Sequence, residues 1–168
     1  MTTSKANWNV LVQPTLFAPQ QQSLNGAPAW HSDGWDGYPH ARQWVIDLIA
    51  RSRLSNPLIV GGDVHAHYVA QVHAEPENPK STLVASEFCG TSISAQGLPA
   101  DVVSDMVKNN PHILLGRSDT RGYQIHQVDE KRTRVKLVHT LDVKEPLTGS
   151  QTLAQFEVRA GSPRINRL

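Results

Sequence analysis

The sequence predicts a mixed α/β fold, α+β in its layout, that closes with antiparallel β-hairpins. Three observations predict it. The apolar stripe Trp44, Val45, Leu48 and Ile49 has helical spacing and is followed by the apolar run Leu58-Ile59-Val60-Gly61, an α-then-β step. From residue 112 onward the pattern is that of strands. Within that part Val135 and Leu137 alternate with basic residues, as in a sheet with one wet face.

The elements follow in order. Residues 1–9 read as a frayed start, and Trp8-Asn9-Val10-Leu11-Val12 as a first strand ended by Pro14. Residues 18–30 hold two prolines, three consecutive glutamines and Asn25-Gly26, and read as loop. Pro39 suits the first turn of a helix over about 39–53, because its missing N–H costs nothing there. Arg42, Asp47, Arg51 and Arg53 are expected on its wet side, and Asn56-Pro57 ends the connection. A strand follows at 58–61. Tyr68–Val72 fits a short strand or a helical turn equally well. Residues 73–81 read as loop and 82–88 as strand. Pro99 opens a helix over about 100–109, with Val102, Val103, Met106 and Val107 on one face. Strands are expected at 112–116, 121–128, 132–142 and 151–159, with a hairpin turn at Asp129-Glu130-Lys131.

Bulk properties exclude several classes. The length of 168 residues suffices for one domain with a core. Sixteen basic against fifteen acidic residues leave a net charge of +1, so no nucleic-acid affinity follows from charge. No apolar run approaches the roughly 20 residues of a membrane span. The single cysteine, Cys89, forbids an internal disulfide and reads as a small core residue. The polar start leads into no hydrophobic signal core, so the chain as written is expected in the cytoplasm.

The chemistry gathers after the strand at 58–61, where Gly61-Gly62 is followed by Asp63, His65 and His67. Glycines at a strand end allow a tight turn and leave room beside it. Asp63 and His65, two residues apart, can face one side if the chain stays extended. A carboxylate oxygen and an imidazole nitrogen on one side make a plausible corner of a metal site. The pair His65-Ala66-His67 also fits an amidohydrolase-like enzyme, but that barrel takes about 250 residues.

Five stretches in order strengthen the first reading: Asp33-x-Trp35-Asp36-Gly37-Tyr38-Pro39-x-x-Arg42, Gly62-Asp63-Val64-His65, Glu87-Phe88-x-Gly90-Thr91-Ser92-Ile93, Asn110-Pro111-His112 and Arg121-Gly122-Tyr123. Together they resemble the C-terminal part of the PhoD-type alkaline phosphatases, relatives of the calcineurin-like metallophosphoesterases, over about residues 8–160. The resemblance implies a partial metallophosphoesterase β-sandwich flanked by helices. It implies hydrolysis of phosphomonoesters and phosphodiesters, with calcium and iron as cofactors and a periplasmic or secreted location. It carries metal-ligand roles to Asp63 and His65 alone. The family's earlier ligand motifs do not precede residue 33, and Cys89 lies too late in the order to be its cysteine ligand. Residues 1–168 are therefore expected to be the C-terminal portion of one phosphatase domain, without its N-terminal ligand-bearing half.

Weaker candidates flank that corner. His67 is expected to be solvated, or to orient a ligand or the bound phosphate. Asp36 and Tyr38 can line a substrate pocket, or serve a structural turn by satisfying backbone N–H groups and packing. Arg121 can grip a phosphate with two donors, or sit on the wet face of a hairpin. Glu87, Thr91 and Ser92 lie near enough to a strand end to reach the site, or to serve its turn. Two functions follow. One is an incomplete metal-dependent phosphatase, weak or inactive alone on its phosphate ester. The other is a complementing half that associates with a separate N-terminal half, or with itself, and buries an exposed sheet edge.

Overall fold

The computed structural model describes residues 3–24 and 26–168. The frayed start and the Asn25-Gly26 loop expected from the sequence lie partly outside them. The elements run β1 (Asn9–Val12), β2 (Gln22–Leu24), β3 (Ala27–Ala29), a 3₁₀ turn at Trp35–Gly37, α1 (Pro39–Ser52), β4 (Pro57–Gly61), β5 (His67–His73) and β6 (Leu83–Cys89). They continue as α2 (Ala100–Asn109), β7 (Ile113–Arg117), β8 (Gly122–Val128), β9 (Arg132–Thr140), β10 (Ser150–Arg159) and β11 (Ile165–Arg167).

Two sheets stack face to face. The first has the order β1-β4-β6-β5-β7 and the second β11-β10-β9-β8. Strands β1, β4, β6 and β7 run in one direction, and β5, between β6 and β7, runs against them. The second sheet is wholly antiparallel. Leu58, Val69 and Phe88 of the first sheet meet Val135, Leu137, Phe156 and Val158 of the second in one core. The opposite face of the first sheet is covered by helices. Ile46 and Ile49 of α1 pack with Ile59 and Val72, and Val103 of α2 packs with Tyr68, Ala70 and Ile113. The fold is thus mixed α/β, with antiparallel hairpins at its C-terminal end, as the sequence predicts. Both helices lie on one side of the sandwich.

Several elements depart from the sequence reading for physical reasons. Residues 67–73 form a strand in which every residue is buried. A strand enclosed on both faces carries no alternation, which is why periodicity leaves it open. In α1 the buried residues are Arg42, Ile46 and Ile49, while Trp44 is 64% exposed. Arg42 turns inward because its guanidinium bonds the buried carboxylate of Asp36. The expected strand 132–142 stops at Thr140, and β11 has no counterpart in the sequence reading. The hairpin turn is set by Asp129, whose Oδ1 accepts the N–H groups of Lys131 (2.7 Å) and Arg132 (2.9 Å).

The stretch read as loop over 18–30 holds the hairpin β2–β3 and, before it, a strap. Side chains from distant elements bond its backbone residue by residue. Glu87 accepts the N–H groups of Phe17 (2.6 Å) and Ala18 (2.8 Å). The His112 imidazole donates to the Pro19 carbonyl (2.7 Å), and Asp36 accepts from Gln20 N–H (3.0 Å). Asn110 accepts from Gln21 N–H (2.9 Å) and donates to the Gln21 carbonyl (2.8 Å). These buried polar side chains stand where a neighbouring strand would otherwise satisfy the strap.

Candidate metal centre

The strap brings Thr15, Gln20 and Gln22 beside the end of β4. There they line a cavity of about 480 Å³ together with His31, Asp33, Asp63, Val64, His65, Tyr68 and the segment Gln96–Leu98. A larger cavity of about 530 Å³ lies elsewhere, between the end of α1 and residues 160–163, and holds none of the candidate residues.

Local chemistry explains how the chain turns here. A Cβ on Gly61 would sit inside the Thr15 carbonyl, so only glycine lets the strap pass this close. Gly62 N–H bonds the Pro14 carbonyl (3.2 Å), and the Cys89 thiol donates to the Gly62 carbonyl (3.3 Å). Burial pushes the Cys89 thiol well above its ordinary pKa, so it stays a neutral donor. The next step departs from the extended chain expected at Asp63 and His65. Val64 N–H bonds the Gly62 carbonyl (2.7 Å) around Asp63 at φ 63°, a γ-turn of the rarer, strained hand. His65 follows at φ 52°. Two non-glycine residues in the left-handed region, two apart, cost free energy that the surroundings must offset.

Three contacts hold His65. Its Nδ1 donates to the Gln96 carbonyl (2.8 Å), so that in the neutral ring the lone pair is on Nε2. Gly97 packs against the His65 carbonyl so closely that a Cβ there would overlap its oxygen. The Arg121 guanidinium donates to the same carbonyl (3.1 Å) and to that of Ser118 (2.7 Å). Arg121 thus ties residues 65 and 118 by their backbone, with longer reaches to Thr91 Oγ1 (3.4 Å) and Ser92 Oγ (3.5 Å).

Of the residues singled out from the sequence, Asp63 and His65 share the cavity; Asp36, Tyr38, His67 and Arg121 do not line it. Asp36 is bonded to Arg42 and to the strap at Gln20. Tyr38 is exposed at the start of α1, where its carbonyl accepts Arg42 N–H (3.0 Å). His67 is fully buried, and burial is the main cause that lowers its pKa to about 4, so the ring is neutral. Its Nδ1 accepts Thr91 N–H at 3.4 Å, and its Nε2 meets no acceptor at hydrogen-bonding geometry. Asp33 lies within a motif quoted above, but nothing in its spacing pairs it with Asp63. His31, Gln20, Tyr68 and Gln96 reach the cavity through long-range packing that no local pattern announces.

The donor set suits a cation in part. Asp63 supplies carboxylate oxygens, and His65 an imidazole whose Nδ1 is held by a carbonyl, which leaves Nε2 as its ligand atom. Among the described residues, no group of three or more His, Cys, Asp or Glu converges as a metal cage. Two donors are less than a full coordination shell.

A sandwich of two sheets with an Asp–x–His turn at the rim of the first is the arrangement that the resemblance of the motifs implies. The sequence profile of the PhoD-like phosphatases matches residues 1–137, and the chain belongs to that family. Alkaline phosphatase D of Bacillus subtilis (strain 168) is 40% identical over 157 residues, which are 92% of this chain and 27% of that protein. A solved structure described as the structure of PhoD superposes with a TM-score of 0.89 at 32% identity, over 99% of this chain and 32% of that one. The chain therefore spans about a quarter of the length of the curated relative it matches.

Proposed function

We propose that this chain carries one corner of a metal-dependent phosphoric-ester hydrolase, with Asp63 and His65 as the metal ligands. The observation that supports it most is the turn at residues 62–65. It spends backbone strain and three separate contacts on presenting a carboxylate and an oriented imidazole to one cavity. Strain kept at two ligand-type residues, two positions apart, fits a functional role better than a connecting loop. In this reading the ions are calcium and iron, and the ligand is a phosphate mono- or diester. When bound, such ions withdraw charge from the phosphoryl group and acidify a water molecule.

The chain's own residues then do the following. Asp63 and His65 Nε2 hold their side of the metal position. Gln96 and Arg121 fix the imidazole and the backbone behind it. Glu87, Asp36, Asn110 and His112 set the strap that forms the facing wall. His67 packs neutral beneath the turn and carries no charge toward the cavity at alkaline pH. The test is hydrolysis of p-nitrophenyl phosphate at alkaline pH with calcium and iron present, by the chain and by its D63N and H65A variants. Activity that survives both substitutions would remove these residues from the site.

A second reading is a complementing half, and it is favoured by one feature of the fold. Strand β1 is an outer strand of the first sheet, its far edge has no partner strand among the described residues, and Val12 is 77% exposed on it. Its partner is a segment carrying the remaining ligands. Co-expression with the N-terminal part of a relative tests this reading, and the absence of both co-purification and activity counts against it.

A further inference from the structure

Tyr68 follows the Asp63–His65 turn at the start of β5, and its ring is only 2% exposed. Leu16, Ala18, Cys89, Val103 and Ile113 surround it. Room for the ring is kept by Gly116, whose missing Cβ would lie 2.9 Å from Tyr68 Cε1. The ring is therefore locked, and the residue lines the cavity that holds Asp63 and His65. A buried tyrosine ordinarily has a partner for its hydroxyl. Here the hydroxyl has one hydrogen-bonding neighbour among the described residues, the side chain of Gln20, which can donate to the phenolic oxygen but leaves the phenolic hydrogen without an acceptor. The Gln20 Nε2 is enclosed and meets no other acceptor at hydrogen-bonding geometry. Gln20 is itself placed by the strap, through Asp36 at its own N–H and Asn110 at the next residue. Two neutral polar groups thus meet at one wall of the cavity, rigidly placed and short of an acceptor.

We propose that the Tyr68 hydroxyl is a hydrogen-bond donor to an anionic oxygen of the ligand in this cavity, and that Gln20 orients it. With the Gln20 N–H turned toward the phenolic oxygen, the phenolic hydrogen is left to point into the cavity. This extends the phosphate-ester reading and rests on it. The proposed ligand oxygen is one of the non-bridging oxygens of the phosphoryl group. A neutral donor has an advantage in this position, since it remains a donor across the alkaline range. Burial, the largest influence on this phenol, pushes its pKa up and keeps the proton in place.

The test is a titration of the chain with inorganic phosphate in calcium-containing buffer, read from backbone amide shifts of residues 62–68 and 96–98. It is run on the unsubstituted chain and on Y68F, Q20L and D63N, with thermal unfolding of each. Y68F removes one oxygen and leaves the packing intact. The expected result is phosphate affinity about tenfold to a hundredfold lower in Y68F, as for a lost hydrogen bond to a charged group. A smaller loss is expected in Q20L, and the melting temperature of Y68F should be unchanged. Phosphate binding in Y68F equal to the unsubstituted chain, with binding lost in D63N, would overturn the inference and leave the metal corner standing. A Y68F chain that melts earlier yet binds phosphate normally would make the hydroxyl structural and also overturn it. Absence of phosphate binding by the unsubstituted chain would overturn the site reading and this inference with it.

Discussion

Glu87 sits in the middle of β6 with no access to water and two backbone N–H groups on its oxygens. Burial is the strongest influence on it and pushes its pKa from 4.5 up to about 7, against the pull of Phe17 N–H, Ala18 N–H and Arg42. The sign of the linkage follows. The folded state holds this proton more tightly than the unfolded state, so the stabilisation is complete below pH 4.5 and is lost as pH rises through about 7. The loss from this group is on the order of 3 kcal/mol. Urea unfolding between pH 4 and 8 should show it as a fall in stability, other groups adding their own slopes. E87Q should flatten that fall, while losing one of the two N–H bonds because an amide offers a single acceptor. A slope unchanged in E87Q would place the titration elsewhere. Sequence reasoning found Glu87 only as a residue near a strand end. Its partners lie about seventy positions earlier, and no local pattern encodes them. Asp63 and His65 are legible as a pair from residue type, spacing and the resemblance together, and they line one cavity. Their left-handed backbone is not legible, since composition says nothing of φ at a non-glycine residue. Arg42 was placed on the wet face because charged residues are almost never buried unpaired, and Asp36 supplies the exception.

Among the elements, the hairpin β8–β9 was legible almost to the residue, and its reason is local. Asp129 satisfies two N–H groups of its own turn, and the flanking strands register from Gly122↔His139 to Val128↔Thr133. D129A should therefore lower stability measurably, through two lost bonds to a charged acceptor in the turn. Chemical denaturation checks this, and D129N should recover part of the loss because its amide oxygen still accepts. A D129A chain as stable as the parent would mean that cross-strand pairing alone sets the register. The turn also anchors the opposite end of the chain, since Trp8 Nε1–H donates to the Asp129 carbonyl (2.7 Å). The strap before β2 was illegible for the opposite reason. Its partners come from three separate segments, β6, the 3₁₀ turn and the connection between α2 and β7, so its sequence looks like a proline- and glutamine-rich loop. Helix α1 shows an intermediate case. Its extent was read correctly from Pro39, but its buried stripe was misplaced, because Trp44 is apolar and yet faces solvent.

At the scale of the molecule, the two sheets differ in how far the chain must travel to build them. Strands β8 to β11 each pair with the next in sequence, across the short turns 129–131, 141–149 and 160–164. Strand β1 instead pairs in parallel with β4, and residues 13–56 lie between them. Closing a long loop costs entropy before any contact repays it, and parallel pairings are slow for that reason. The order of assembly should therefore run against the order of synthesis. The C-terminal sheet forms first and offers Val135, Leu137 and Phe156 as a template, and β1 docks last. Pulse-labelled hydrogen exchange during refolding should protect the amides of β8, β9 and β10 before those of β1 and β4. Simultaneous protection of both sheets would show that they fold as one unit. On a ribosome, β1 would then wait for its partner until β4 emerges, and its exposed valines would be a binding site for chaperones during that interval.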